Sequence, residues 1–284
     1  MGIEKSRPVL ITGCSTGIGR ATAERLADDG WNVHATARRL DAIEELGKRG
    51  CKTGELDVTD ERSMKTAVDE VEKDGPIGAL INNAGYSQSG AIETIPMESV
   101  RRQFETNVFG LMRMCQLVLP GMRGAGSGRI VNLSSMGGKL TFPGGGVYHA
   151  TKHAVEALSD ALRFEVNEFG IEVVIIEPGL IITEFGETAN ASIGAVEDHG
   201  PYAKFNEDVG RVTANAYTGP MARFGAGPDA VAKKIAKALT SRRPSTRYKV
   251  TPSAGAMMGM RSLMTDRMWD RFVRSQYPAP KPEA

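Results

Sequence analysis

The apolar runs of this chain are short, seldom alternate with polar residues, and are separated by helix-like stretches. PVLI (8–11), NVHAT (32–36), IGALIN (77–82), RIVNL (129–133) and IEVVIIEP (171–178) read as strands, with KTGEL (52–56) and RYKV (247–250) as two more. A strand wet on one face alternates, so a run that does not alternate is buried on both faces. Amphipathic stretches fill the intervals at about 19–29, 41–46, 61–73, 97–119, 147–169 and 227–239. In 61–73, for example, Met64, Ala67, Val68 and Val71 recur at helical spacing. Strand and helix repeated this way give a parallel sheet with right-handed crossovers. The expected fold is a single-domain α/β structure, a Rossmann-type doubly wound parallel sheet of about seven strands with helices on both faces.

The first strand runs into TGCSTGIG, Thr12 to Gly19, and then a helix. Gly13, Gly17 and Gly19 permit a tight turn and a close backbone approach. The helix N-terminus adds free N–H groups and the positive end of its dipole, a setting that suits a pyrophosphate. Ser15, Thr16 and Ile18 complete that loop. The second strand ends in ATARR. In dinucleotide folds specific for NAD, an acid near this point binds the ribose hydroxyls. Ala37 holds that place here and Arg38 follows it. An arginine can pair with a 2′-phosphate that an acid would repel, which favours NADP(H) over NAD(H).

In VYHATKHAV (147–155), Tyr148 and Lys152 stand four apart, on one helix face. A tyrosine with a pKa of about 10 is too weak a base at neutral pH. An ammonium about 5 Å away, at an effective dielectric near 20, favours the phenolate by roughly 3 kcal/mol. That would bring the phenol toward the range useful for proton transfer. Ser134-Ser135 ends RIVNL, Asn82 to Gly85 end the strand before it, and Pro178-Gly179 end the strand after it. All three lie at the carboxyl edge of the sheet, where open α/β folds bind ligands.

Taken together these residues resemble the short-chain dehydrogenase/reductase family. The likeness covers about residues 8–183 and 227–250, and rests on TGCSTGIG, LDVTD, NNAG, Asn107, the Ser/Tyr/Lys set and PGLIIT in that order. It implies Tyr148 as the acid/base. Lys152 would lower its pKa and bind the nicotinamide ribose. Ser135, thirteen places before the tyrosine, is selected over Ser134, and Asn107 holds a relay water. Asp57, followed by Val58, would meet the adenine; Asn83, Ala84 and Gly85 would line the adenosine ribose. Pro178 and Gly179 would lie along the cofactor, with Ile181 and Thr183 anchoring its carboxamide. ATARR and IIEPG look most like the branch containing retinol and 17β-hydroxysteroid dehydrogenases, which implies an apolar alcohol or carbonyl substrate. The rivals are a 3-oxoacyl-thioester reductase and a dinucleotide-sensing protein.

The resemblance also divides the chain. Residues 1–255 form the dinucleotide-binding catalytic domain, in which 184–226, with little periodicity, covers the substrate. That segment carries Phe185, Ile193, Val196, Tyr202 and Phe205. The GGG at 144–146 would loosen the loop over the substrate. The tail, 256–284, is an amphipathic extension rich in methionine around Trp269. It packs on the body or a subunit, or else touches a membrane surface through Arg261, Arg267, Arg271 and Arg274. The PAPKPEA end is expected to fray. The two long helices imply a homodimer or homotetramer. His149, His153 and His34 read as structural or exposed.

Several classes are set aside. A net charge of +1 provides no field for nucleic acid. Three scattered cysteines and four histidines form no metal spacing and suit a reducing compartment. The N-terminal stretch has no secretory apolar region, and no run is long enough to span a bilayer. A cytoplasmic protein is expected.

Overall fold

The structure, a computed structural model, describes residues 2–194, 200–277 and 279–280. Val196 and most of the PAPKPEA end lie outside the described residues.

Seven parallel strands form one sheet. They are β1 (Val9–Ile11), β2 (Val33–Ala37), β3 (Lys52–Glu55), β4 (Ala79–Asn82), β5 (Gly128–Leu133), β6 (Ile171–Glu177) and β7 (Arg247–Lys249), in the order β3-β2-β1-β4-β5-β6-β7. The order reverses between β1 and β4, which opens a crevice at the carboxyl ends of those strands.

Two cores explain the unalternating runs. Val9 and Ile11 face one side with Leu26 of α1 (Gly17–Asp28) and Val231, Ile235 and Leu239 of α9 (Pro228–Thr240). Leu10 faces the other, with Val68 of α3 (Glu61–Glu72), Met114 and Val118 of α5 (Leu111–Gly124), and Val155 of α6 (Gly146–Val166). Successive strand residues point to opposite faces, so both faces need apolar side chains when helices cover both.

The expected helix over 97–119 is broken. α4 (Met97–Phe104) passes into a π-helical turn, Glu105–Gly110, before α5. At 41–46 a short 3₁₀ turn, Asp41–Ile43, precedes α2 (Glu44–Lys48). The 184–226 segment is more regular than its sequence suggests. α7 (Phe185–Gly194) and α8 (Ala203–Thr218) pack on each other, with 3₁₀ turns Gly200–Tyr202 and Pro220–Phe224. Their glycines, asparagines and alanines pack closely without an apolar stripe, which is why no period showed. The pattern is visible where Gly210 abuts Asn190 and Gly186 abuts Tyr217.

The tail is two helices, α10 (Pro252–Leu263) and α11 (Asp266–Gln276), and starts four residues earlier than its composition implied. Thr251 and Thr265 cap them, each hydroxyl accepting an N–H of the first turn. Met258, Trp269 and Val273 pack on Leu140 and Ala254, with Phe142, Phe272 and Tyr277 around them. The apolar face of the tail therefore lies on the body. Leu263 and Met268 are its exposed large apolar residues.

Candidate active site

The glycine loop is held shut from two sides. Gly13 (φ 74°) and Gly17 (φ 56°) take left-handed backbone, which favours glycine. A Cβ on Gly19 would stand 2.2 Å from the Gly13 carbonyl oxygen, so only glycine fits there. From β4, the Asn83 amide nitrogen donates to the Thr12 and Gly13 carbonyls, 2.9 Å each. The backbone N–H groups of Asn83 and Ala84 donate to the Thr12 hydroxyl at 3.0 and 2.9 Å. The Asn83 side chain thus braces the loop, in addition to the place beside the adenosine ribose that the family resemblance implies for it. Thr12, for which the sequence suggests no role, is the acceptor that joins the ends of β1 and β4. Its place directly before the first glycine was the available signal.

The loop leads to the N-terminus of α1. Thr16 stands extended before it, contributes no side-chain cap, and no acid occupies the first turn. The first-turn N–H groups and the positive dipole end are therefore left for an anion, and the backbone comes close enough to reach one. This cradle, which includes Ser15 and Ile18, fits the pyrophosphate of a nicotinamide dinucleotide. Thr183, after β6, reaches across to the loop: its methyl group lies 3.4 Å from where a Cβ on Gly17 would stand. Ile181 bridges to Ala226 and is buried.

At the adenine end, Arg38 is exposed just past β2 and has no ion-pair partner among the described residues, while Arg39 pairs with Asp41 at 3.3 Å. Asp57 accepts the N–H and hydroxyl of Thr59 on one oxygen, at 2.9 and 2.7 Å. The second oxygen has no such contact. Val58 is buried, and its carbonyl would lie 2.4 Å from a Cβ on Gly110.

Asn107 lies in the π turn. Its amide nitrogen donates to the Tyr86 carbonyl (2.9 Å) and the Thr151 hydroxyl (3.1 Å), and its oxygen accepts the Tyr86 N–H at 3.1 Å. Gly85 leaves the room that this oxygen occupies. π turns cluster at functional sites because they re-aim one residue of a helix. Nothing in the local composition marks this one.

Ser135, Tyr148 and Lys152 converge. Ser135 begins the short turn after β5, accepts the Gly137 N–H at 3.0 Å, and hydrogen-bonds the Tyr148 side chain. The neighbouring Ser134 has its hydroxyl buried and without a hydrogen-bond partner among the described residues. Tyr148 packs against Phe185 of α7 at 5.5 Å between ring centroids. Lys152 has its nitrogen 5.8 Å from the Tyr148 ring centre and donates to the Leu133 carbonyl at 2.7 Å.

The charge balance differs from the simple ammonium–phenol estimate. Burial pushes the Tyr148 phenol above its ordinary pKa; the Ser135 hydrogen bond opposes this only in part, and Tyr217 adds to it. Burial also brings Lys152 down to about 8, against the field of Glu156. Desolvation outweighs a single opposite charge when a site is this enclosed. Phe185, on the segment expected to cover the substrate, packs on the Tyr148 ring, while Tyr217 acts on it electrostatically.

The histidines are held by packing. The His149 ring fills the space that Cβ atoms on Gly137 and Gly145 would take, at 2.4 and 2.5 Å. Gly144 abuts Val209 of α8 and Gly146 abuts Ile92, so the GGG run makes close contacts instead of a loose loop. His153 Nδ1 meets the His149 carbonyl, and His34 pairs with Asp74 at 2.8 Å.

The extension reaches both walls of this site. Gly179 lies against Thr251 and Ala254, Met136 donates to the Pro178 carbonyl at 2.8 Å, and Phe142 stacks on Trp269 and Tyr277 at 5.9 and 6.2 Å.

Comparison with known proteins gives a consistent picture. Residues 7–194 match the family described as short chain dehydrogenase. The uncharacterized oxidoreductase YbbO of Escherichia coli K12 is 36% identical over 94% of this chain and 94% of its own. A 3-ketodihydrosphingosine reductase of Bacteroides thetaiotaomicron is 35% identical, covering 95% and 97%. An NADPH-dependent 3-dehydrocapnine reductase of Ornithobacterium rhinotracheale is 33% identical, covering 94% and 95%. Among solved structures, a short-chain dehydrogenase from Streptomyces avermitilis superposes with a TM-score of 0.77 at 32% identity, over 95% of this chain and 98% of that one.

Proposed function

The chain belongs to the short-chain dehydrogenase/reductase family, an oxidoreductase acting on CH–OH or C=O groups with a nicotinamide cofactor, and from that premise we propose that it is an NADP(H)-dependent reductase of apolar ketones. The observation that carries the reading is the convergence of Ser135, Tyr148 and Lys152 beside a cradle for a dinucleotide.

A bound nicotinamide supplies the hydride to the carbonyl carbon. Ser135 holds the carbonyl oxygen, and Tyr148 delivers its phenolic proton to it. A phenol held above its ordinary pKa is fully protonated at neutral pH and so ready to act as an acid. Lys152, cationic below about pH 8, stabilises the phenolate left behind and holds the nicotinamide ribose. Asn107 keeps the relay water. The loop from Gly13 to Gly19 holds the pyrophosphate, Asp57 and Val58 the adenine, and Asn83 to Gly85 the adenosine ribose. Pro178, Gly179, Ile181 and Thr183 hold the nicotinamide end.

Arg38, exposed and unpaired, supports NADP(H): a 2′-phosphate has a cation waiting for it. One relative named for NADPH dependence points the same way. Phe185 and Tyr217 beside Tyr148 support an apolar substrate of the steroid, retinoid or lipid kind, with 184–226 as its cover. Exposed Phe109 beside α5 and Phe164 on α6 support a homodimer or homotetramer built on those helices. No helix among the described residues is long and apolar enough to cross a membrane, and a cytoplasmic location fits this reading.

The test is NADPH oxidation by the full chain with steroid, retinoid and long-chain ketones. Turnover that Tyr148→Phe abolishes, with NADPH binding retained, supports the reading. Turnover intact in Tyr148→Phe overturns the mechanism.

A further inference from the structure

His149 is the buried titratable side chain nearest the reacting groups that the mechanism leaves idle. Its ring lies 5.7 Å from the Tyr148 ring, centre to centre. Two glycines make room for it, Gly137 on the loop after Ser135 and Gly145 at the start of α6. Such a cage fixes the plane of the ring. The residue is 8% exposed.

The hydrogen bonds fix its tautomer. The Phe142 N–H donates to Nδ1 at 3.4 Å, so Nδ1 carries a lone pair and Nε2 carries the hydrogen. Burial brings the ring to a pKa of about 4, with His153 adding to the effect, so it is a neutral donor at physiological pH. Among the described residues Nε2 has no hydrogen-bond partner, and it is not among the atoms sealed from solvent. A donor confined this way and left unpaired is well placed for an incoming acceptor.

Its position relative to the chemistry follows from Gly137. The point where a Cβ on Gly137 would stand is 3.1 Å from His149 Nε2 and 3.4 Å from Ser135 Oγ. The donor and the serine that holds the substrate oxygen are therefore no further apart than the sum of those two distances, within the span of two hydrogen bonds to one small molecule. A carbonyl oxygen and an oxygen two or three carbons away are separated by about 3–5 Å at ordinary bond lengths.

We propose that His149 is a specificity-determining residue, its Nε2–H donating to a second neutral oxygen of the substrate β to the carbonyl held by Ser135 and Tyr148. The substrate class is an apolar chain carrying a β-hydroxy or β-oxo ketone. This rests on the ketone-reductase reading above and narrows it. A neutral imidazole N–H selects an oxygen acceptor without demanding an anion. The apolar remainder lies along Phe185 and the lid.

The experiment uses the full chain with NADPH and two ketones of equal length, a 1-hydroxyalkan-3-one and the matching alkan-3-one. The wild type is expected to prefer the hydroxyketone. In His149→Phe, which keeps a ring but has no donor, the ratio of the two kcat/KM values falls by about 10-fold. In His149→Gln, which restores an N–H, part of the ratio returns. The second readout is the ¹⁵N resonance of His149 Nε2 in histidine-labelled protein, which moves with the hydroxyketone and not with the alkanone. A ratio unchanged in both variants, with no resonance shift, overturns the proposal while leaving the reductase reading intact. A resonance shift with no turnover of either ketone overturns the reductase reading and keeps the oxygen-binding site.

Discussion

The Lys152 ammonium donates to the backbone carbonyl of Leu133, 2.7 Å away at the end of β5. The bond ties α6, which carries Tyr148, to the end of the strand that leads into Ser135, so the two proposed partners of the substrate oxygen rest on one joint. Burial, opposed by Glu156, pushes the lysine down to about 8.

That value sets the pH dependence of ketone reduction. The lysine is cationic below about 8 and neutral above it. Tyr148, raised by burial, stays protonated across the same interval and does not set the limb. Turnover should hold level from pH 6 to 7 and fall about tenfold per pH unit above the lysine's pKa. Glu156 raises that pKa, so Glu156→Gln should move the falling limb to lower pH. A kcat profile of the two proteins checks this; coincident limbs would show that Lys152 charge does not control the step.

On the proposed NADP(H) reading, cofactor choice turns on the exposed Arg38. Arg38→Asp replaces a cation with an acid beside the 2′ position. The ratio of kcat/KM for NADPH over NADH should fall by about 100-fold, the scale of losing a charge-assisted hydrogen bond and gaining a repulsion. An unchanged ratio would place phosphate recognition elsewhere.

The glycine cradle should tolerate no Cβ at its tightest point. Gly19→Ala puts a methyl group 2.2 Å from the Gly13 carbonyl oxygen. The expected cost is about 1–3 kcal/mol in stability, typical of overpacking, together with loss of NADPH affinity. Fluorescence titration with NADPH and thermal melting read the two effects. An alanine variant that binds NADPH like the wild type would mean that the dinucleotide does not use this turn.

Arg129 is the largest wholly enclosed side chain, on β5 beneath α9. It donates to the carbonyls of Ala238, Leu239 and Ser241 at the end of that helix and to Glu172 at 2.6 Å. Arg129→Met removes the partners of several buried carbonyls and should cost about 3–5 kcal/mol. For a chain of this size that lowers the melting temperature by roughly 10 °C. NADPH affinity measured well below the transition should stay within about twofold, because the arginine lies far from the glycine loop. A melting temperature within a degree of the wild type would overturn the capping role.

The strands were legible in the sequence because a doubly covered sheet leaves a strong mark: Val9, Leu10 and Ile11 are all apolar since each faces a helix layer. The glycine loop was legible because backbone strain has a residue requirement. Tyr148 and Lys152 could be paired because a helix has a fixed period. What escaped the sequence depends on chain-distant neighbours. The phenol's pKa is raised by burial, to which Phe185 of another helix contributes. The bracing role of Asn83 escaped as well, because its partners Thr12 and Gly13 lie about seventy residues away in the chain. The division of the tail at Met264–Thr265 escaped because a threonine cap, without glycine or proline, makes the break.

The seating of α10 and α11 also has a consequence for synthesis. Phe142 lies on the loop between Ser135 and Tyr148, and its ring partners Trp269 and Tyr277 are made more than a hundred residues later. A nascent chain that has already paired β1 to β6 still lacks the support under that loop. The loop between Ser135 and Tyr148 is therefore completed only when the last helices of the described chain are in place.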